Sequence, residues 1–178
     1  NVVDRSAALL NDAAKTTFTF AAQLPYLNMA LQELQEYFEL NEVPVTDTVS
    51  AVIQINAGVS SIAFSASNPK LPDNLIEPQI LWERQRDTNP YTPMTKLDSL
   101  PRYMEGIEIN QLIYYVWQSQ EIRFLPANTD LDIKMDYIRN LFATVTVTGD
   151  DITILNAATF LEYRTASLCA FFVGQNKT

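Results

Sequence analysis

The sequence predicts an α+β protein in which helices near both termini form a body, while a central antiparallel β-rich insertion carries an extended arm. Three observations support this prediction: an apolar stripe of helical spacing near each terminus, β-branched or alternating segments between them, and prolines concentrated in one stretch. The length of 178 residues indicates a single domain. Within it, residues 1–48 and 150–178 form the predicted helical body, and residues 49–149 form the insertion.

Two helices are predicted near the N terminus. Asp4 can cap a first helix over residues 5–15. Pro25 suits the first turn of a second helix that runs to about Glu39. The apolar residues of this second helix recur at the spacing of one helix face, which makes it the clearest helix pattern in the chain: Leu27, Ala30, Leu31, Leu34 and Phe38.

The central part of the chain is rich in strand patterns. Residues 49–55 and 59–64 are β-rich and are separated by a short loop ending in glycine, which predicts a hairpin. Residues 112–117 form an apolar run without alternation, which is typical of a strand covered on both faces, and residues 121–125 follow. Residues 131–137 alternate apolar and polar, as a half-buried strand does. We expect the last three of these segments, from residue 112 onward, to form an antiparallel meander.

A proline-rich arm is predicted over residues 69–101, which contain six of the nine prolines. Proline favours extended backbone and removes hydrogen-bond donors. We expect this arm to lie along a neighbouring subunit, and we expect its deletion to leave the core folded. The residues expected to make that contact are Trp82, Arg84, Arg86 and Tyr91.

The C-terminal part predicts one last helix. Thr and Val alternate over residues 144–148, and Asp150 and Asp151 then precede a helix over residues 155–173. Gly174 is expected just after the helix end. Cys169 lies among apolar neighbours, where a lone cysteine packs as a small hydrophobe.

Several residue types are too scarce for common active sites. The sequence has no histidine, so it lacks the imidazole base of Ser-His-Asp or Cys-His catalysis. A single cysteine and four glycines exclude a cysteine zinc site and glycine-rich phosphate loops. No apolar run reaches membrane-spanning length. We therefore expect no enzymatic activity, no cofactor or metal and no membrane partner.

The chain is acidic, with a formal net charge of −9. Such a surface repels DNA phosphates, so DNA could pass the protein but would not be bound specifically. Two further interpretations of the glutamates stay open beside a solvated face: the repulsive lining of a DNA channel, and a surface for a basic partner. The glutamates concerned are Glu33, Glu36, Glu39 and Glu42.

Two alternative functions remain open at this point. A β-type carbohydrate- or receptor-binding module would use Trp82 and Trp117 as its platform. A glycosidase would need two paired carboxylates, and no localised acid pair stands out. The carboxylates Asp130, Asp132 and Asp136 depart from the EF-hand pattern, which favours a solvated strand face over a cation site.

The order of the elements carries a family resemblance. It runs from SAALLNDAAKTTFTF into QLPYLNMALQELQEYFEL, through SAVIQINAG and LPDNLIEPQILWERQR, and on to EIRFLPANTDLDIKMDYIR and NAATFLEYRTASLCAFFVGQN. In this organisation the chain resembles the head-to-tail adaptor (neck, or connector) proteins of tailed bacteriophages over most of its length. Other neck components, a stopper or a tail terminator, stay as alternatives.

The resemblance implies a non-enzymatic virion protein located in the neck and assembled in the host cytoplasm. Members of the family form a ring, usually dodecameric, that binds beneath the portal, extends the DNA channel and presents a face to the next neck or tail protein. By location in the chain, the resemblance also suggests a portal-contacting tail that consists of Gly174, Gln175, Asn176, Lys177 and Thr178.

Overall fold

The computed structural model describes residues 1–88, 90–101, 109–147, 149–150, 152 and 156–175. The chain divides into two compact units. The helical unit comprises Asn1–Val43 and Leu141–Thr178, and the sheet unit comprises Pro44–Asn140. Helices and sheets both occur in the described ranges, so the mixed α+β class is confirmed. That the two units make a single domain stays a prediction.

Helix α1 is Val2–Leu9, shorter and earlier than expected. Its N-cap is Asn1, whose side chain accepts a hydrogen bond from the Val3 N–H at 3.0 Å, so the predicted cap at Asp4 is wrong. The chain turns soon after the helix because the Asp12 carboxylate accepts hydrogen bonds from the backbone N–H groups of residues 16, 17 and 18. These bonds hold the pKa of Asp12 well below its usual range.

Helix α2 is Phe20–Leu40, and the Thr19 side chain caps it by accepting a hydrogen bond from the Ala22 N–H at 3.2 Å. Pro25 therefore lies inside the helix and not in its first turn, which corrects the predicted start. The apolar stripe is confirmed: its first four members are buried and the last is half-buried, namely Leu27, Ala30, Leu31, Leu34 and Phe38.

Helix α3 is Ala158–Gln175, and it packs against α1 and α2. Gly174 lies within this helix, so its predicted place after the helix end is wrong. Residues 153–155, where the predicted helix would begin, lie outside the described residues. Cys169 is fully buried as expected, and burial raises the pKa of its thiol to about 11.

The segment before α3 is irregular where the structure describes it, so the alternation over residues 144–147 does not form a strand. Asp150 instead accepts hydrogen bonds from the N–H groups of Thr146, at 2.7 Å, and Val147, at 3.1 Å. It stabilises this turn and does not lie at the start of α3. Asp151 lies outside the described residues.

The sheet unit contains two sheets, preceded by a short 3-10 helix over Pro44–Thr46. In the first, the order is β1 (Asp47–Val49), β9 (Leu131–Arg139), β4 (Leu75–Gln85) and β5 (Thr92–Pro93), and β2 (Ile53–Ile55) also pairs with β9. In the second, the order is β3 (Ser61–Ala63), β8 (Glu121–Phe124), β7 (Tyr114–Gln118) and β6 (Thr95–Lys96). Every pair is antiparallel in the described ranges except β6 with β7, which is parallel.

Two predicted strand connections are wrong. The hairpin expected around Gly58 does not form, because β2 and β3 belong to different sheets. The predicted meander does not form either, because β7 and β8 pair in the second sheet whereas β9 belongs to the first sheet. The β7–β8 hairpin itself forms, and its two turn residues, Ser119 and Gln120, have φ values of 54° and 60°. Positive φ at both positions is the geometry of a type I′ turn.

Strand β7 is covered on both faces only at its centre, because the adjacent residues of a strand point to opposite faces. Tyr115 and Val116 are buried, whereas Ile113, just before the strand, and Tyr114 are exposed. Strand β9 behaves as predicted at its apolar positions, which are all buried: Leu131, Ile133, Met135 and Tyr137.

The extended-arm prediction is corrected over a third of its length by β4. This 11-residue strand lies inside the first sheet and pairs with β9 from Leu75↔Arg139 to Gln85↔Leu131. A register shift next to Pro78 accommodates the proline, which cannot donate to the ladder. Deleting residues 69–101 would remove β4 entirely, so the expectation that the core survives this deletion does not hold.

The burial of the α2 stripe can be tested by truncating one leucine. Leu31 is 2% exposed, and Leu31→Ala is expected to lower the free energy of unfolding by about 2–5 kcal/mol through lost burial and the cavity left behind. Leu40→Ala is the matched control on the same helix, because Leu40 is 85% exposed and should change stability by about 0.5 kcal/mol or less. Urea denaturation followed by circular dichroism measures both, and equal losses would contradict the packing described for α2.

Candidate assembly surfaces

The four predicted acidic residues, three on α2 and Glu42 just after it, do not share one environment. Glu33 is paired with Arg164 of α3, whose Nη2 donates to Glu33 Oε1 at 2.7 Å and holds the pKa of that carboxyl below its usual range. Glu39 is half-buried and accepts a hydrogen bond from Gln35 Nε2 at 2.6 Å. Glu36 and Glu42 are exposed. Because Glu33 is paired with Arg164, it adds little negative charge to this acidic surface.

One outward strip of α3 is mainly aromatic, and none of its members is charged. Phe160, Tyr163, Ser167 and Phe171 follow one another at intervals of three or four residues, which places them on one side of the helix. All four are exposed, Tyr163 and Phe171 by 62% and 59%. We call these four residues the α3 aromatic face. It spans about 16 Å along the helix axis.

An apolar groove adjoins this face within the helical unit. It has a volume of about 730 Å³, and Phe160 forms part of its wall, so the groove and the α3 aromatic face are continuous. We call it the α2–α3 groove. Its lining consists of Glu33, Leu34, Tyr37, Phe38, Asn156, Ala157, Phe160 and Arg164.

The residues predicted for the inter-subunit arm have partners within their own chain. Trp82 Nε1 donates to Asp136 Oδ2 at 3.0 Å. Arg84 Nη2 lies 2.8 Å from Asp132 Oδ2, and the Arg84 guanidinium stacks 4.6 Å from the centre of the Tyr91 ring. Their contact with a neighbouring subunit stays a prediction.

Asp132 corrects the expectation of a solvated carboxylate face. Its residue is 1% exposed, and besides Arg84 it faces Arg86, whose Nε is 3.8 Å from Asp132 Oδ1. Asp130 is exposed and pairs with Arg86 Nη1 at 2.7 Å. Two ion pairs thus lie next to each other, and we call them the ion-pair ladder: Arg84 of β4 lies opposite Asp132 of β9, and Arg86 pairs with Asp130 just beyond the ends of the two strands.

The two tryptophans of the carbohydrate-binding alternative lie in different sheets. Trp82 belongs to β4 of the first sheet, and Trp117 belongs to β7 of the second. Trp117 packs edge-on against Phe64, with ring centres 6.5 Å apart, and joins the apolar core of the sheet unit.

Glu83 is a buried carboxylate that sequence reasoning missed. It is 4% exposed, accepts a hydrogen bond from the Leu112 N–H, and its Oε2 has no hydrogen-bond partner. Burial raises the pKa of Glu83. The two-residue spacing from buried Leu81 along β4 was the available signal, since residues i and i+2 of a strand share a face.

The remaining predicted site residues are at the chain end. Gly174 and Gln175 lie in the last turn of α3, and Asn176, Lys177 and Thr178 lie outside the described residues. Their contact with a portal stays a prediction. Among the residues that the structure describes, no group of three or more acidic or cysteine side chains could hold a metal ion.

Taken together, the exposed aromatic helix face, its adjoining groove and the acidic surface are features of an assembly protein. Residues 1–171 match the family model of the SU10 adaptor protein, so the chain belongs to this family of phage head–tail adaptors and the predicted resemblance is confirmed. A search of curated proteins finds no match. The family makes the chain a structural virion component that interacts with other phage head and tail proteins. None of the described helices is both long and apolar enough to cross a bilayer.

The ion-pair ladder can be tested at Asp132. Asp132→Ala is expected to lower the free energy of unfolding by about 3 kcal/mol, because it leaves Arg84 half-buried without its carboxylate. Asp130→Ala removes an exposed partner and should cost about 1 kcal/mol or less. Thermal unfolding of both variants measures the difference, and a loss at Asp132 no larger than that at Asp130 would contradict the buried pairing.

The raised pKa of Glu83 predicts a pH-dependent stability. The folded chain keeps the Glu83 proton to a higher pH than the unfolded chain does, so this group's contribution is fully present below about pH 4.5 and is lost as pH rises through the raised pKa. Glu83→Gln cannot titrate, so wild type should lose stability relative to this variant as the pH is raised from about 4.5 through the raised pKa of Glu83.

Urea denaturation across that range measures the effect, and Glu121→Gln is the control. Hydrogen bonds from Ser61 and Arg123 lower the pKa of Glu121, so the effect of its removal has the opposite sign. Parallel curves for wild type and Glu83→Gln would contradict the buried carboxyl.

Proposed function

We propose that this chain is the subunit of a ring that joins the phage portal to the tail and extends the DNA channel. The observation that carries this proposal is the α3 aromatic face, which is exposed, uncharged and continuous with an apolar groove. Such faces on an isolated chain are typical of surfaces that are covered in an assembly.

Charge supports contact between copies at this face. Each copy has a formal net charge of −9, so like copies repel one another, and the repulsion is screened only beyond about 8 Å at physiological salt. Subunits can approach most closely where neither contributes net charge. Phe160, Tyr163, Ser167 and Phe171 are uncharged.

The two charges in the lining of the α2–α3 groove, Glu33 and Arg164, are paired with each other.

The groove and the exposed aromatic rings differ in shape, which supports a head-to-tail contact. Phe171 is exposed near one end of the face, and the α2–α3 groove opens at the other end beside Phe160. An aromatic side chain of one copy would insert into the groove of the next. A contact between two different surfaces repeats from subunit to subunit and closes into a ring when the rotation allows. The family resemblance makes twelve subunits the expected number.

The remaining parts of the proposal concern DNA and the portal. The exposed carboxylates Glu36 and Glu42, with half-buried Glu39, would line the channel and let DNA pass without specific binding. The end of α3 and the residues after it, from Gly174 to Thr178, would contact the portal, and the opposite face of the ring would meet the next neck or tail protein. The ring would then occupy the neck of the virion, after assembly in the host cytoplasm.

Ring formation can be tested by placing charge on the α3 aromatic face. The double variant Tyr163→Glu with Phe171→Glu is expected to remain monomeric when mixed with purified portal rings of the same phage, whereas wild type forms a complete ring on the portal. Native mass spectrometry measures the stoichiometry, and circular dichroism checks that the variant is folded.

Leu9→Glu is the matched control, because Leu9 is an exposed apolar residue on another helix of the same unit. This variant should assemble like wild type. A folded double variant that still forms the ring, or a wild-type chain that does not oligomerise on the portal, would contradict the proposal.

A further inference from the structure

The α2–α3 groove combines an apolar wall with one ion pair. Aliphatic and aromatic side chains supply most of its lining, and the lining includes two charged residues, Glu33 and Arg164. Their charges offset each other, because Nε and Nη2 of Arg164 donate to the two oxygens of the Glu33 carboxylate. A charged group that entered the groove would be buried without a free partner, which is costly. The groove therefore favours an uncharged occupant.

The Glu33 carboxylate determines how Arg164 can meet that occupant. A two-pronged ion pair holds a guanidinium in one plane and uses the N–H groups along one of its edges. The side chains of Arg164 and Glu33 are 40% and 38% exposed, so the pair can be reached from outside. What the guanidinium still offers is its flat face, and this face attracts aromatic rings. An aromatic ring would thus find both an apolar wall and a cation on which to stack.

Phe171 is the member of the α3 aromatic face that is best placed to fill this groove in another copy. It lies about 16 Å along the helix axis from Phe160, so it is remote from the groove of its own chain. It is 59% exposed, and its ring contacts Phe172 edge-on with ring centres 5.2 Å apart. Phe172 in turn stacks on Tyr26 at 5.7 Å. A ring that is already held in this way loses less conformational freedom when it binds.

We propose that Phe171 of one copy inserts its ring into the α2–α3 groove of a second copy and stacks there on the Arg164 guanidinium. This inference rests on the ring contact proposed above, and it adds the residue that enters the groove and the group that selects it. Arg164 is the residue that distinguishes an aromatic ring from an aliphatic side chain. Glu33 is a positioning residue, because it acts through Arg164.

The selectivity of the groove can be tested on the isolated chain with two small probes. N-acetylphenylalaninamide carries the aromatic side chain, and N-acetylleucinamide carries an aliphatic one. Each probe is titrated to concentrations on the order of 50 mM, and the Nε–H signal of Arg164 is followed by NMR. We expect a saturable shift with the phenylalanine probe, and about threefold or more weaker binding of the leucine probe.

Arg164→Lys keeps the positive charge but removes the flat face, so the preference for the phenylalanine probe should disappear. The backbone signals of Asn156 and Ala157, which line the groove, report binding by this variant. Arg123→Lys is the matched control, because Arg123 also pairs with a glutamate, at 2.8 Å, but belongs to the sheet unit. The inference is overturned if the phenylalanine probe gives no saturable shift, if both probes bind equally, or if Arg164→Lys keeps the preference.

The contact between copies is tested by a double-mutant cycle on purified portal rings. Phe171→Leu and Arg164→Lys should each raise the chain concentration needed for half-complete rings by about threefold or more. The double variant should be no worse than either single variant, because both changes remove the same contact. Native mass spectrometry measures the rings. Independent effects that multiply would overturn the contact between Phe171 and Arg164 and would leave the ring itself standing.

Failure of the proposed function gives a different result. If wild type forms no ring on the portal, the proposed function and the contact between copies are both overturned. The probe titrations need no ring, so they decide the aromatic selectivity of the groove in either case.

Discussion

The pairing of β9 with β4 is the contact on which the sheet unit depends. Strands β1 and β2 pair with β9, and β5 pairs with β4, so the first sheet is built outward from this one ladder. The register places Leu81 opposite Met135 on one part of the ladder and Arg84 opposite Asp132 on another. A shift of one residue would move the apolar side chains out of the core and separate the buried carboxylate from its guanidinium.

The helical unit distributes its polar and apolar side chains differently. Its core holds the α2 stripe against α3, and hydrogen-bonded polar groups such as Ser6 and Gln23 are buried beside it. The large aromatic side chains of the α3 aromatic face remain outside. The sheet unit shows the opposite departure from the usual distribution. There a polar group is buried, since the Glu83 carboxyl lies inside with one oxygen unpaired.

Features that depend on neighbouring residues could be predicted from the sequence, whereas features that depend on residues far apart along the chain could not. Helix α2 was predictable because the spacing of its leucines is a property of neighbouring residues. Strand β4 was missed because Pro78 and the surrounding prolines favour extended, unpaired backbone. Only the structure shows that a register shift between β4 and β9 lets the sheet accommodate a proline within the strand. The start of α2 was misplaced because proline is common in a first turn, whereas here the cap is Thr19, six residues before Pro25. The burial of Asp132 and Glu83 was missed because carboxylates are usually exposed. Whether a carboxylate is buried instead depends on partners far along the chain.

The sequence by itself determined the mixed class of the protein, the apolar face of α2, the buried positions of β9, the burial of Cys169 and the family resemblance, because these depend on local spacing, composition and the order of elements. The tertiary structure decided which strands pair, where Asp132 and Glu83 lie, and which aromatic side chains of α3 stay outside. These depend on contacts between residues tens of positions apart, such as Arg84 with Asp132 and Glu33 with Arg164. Local periodicity cannot specify such contacts, because many long-range pairings are compatible with the same pattern along the chain.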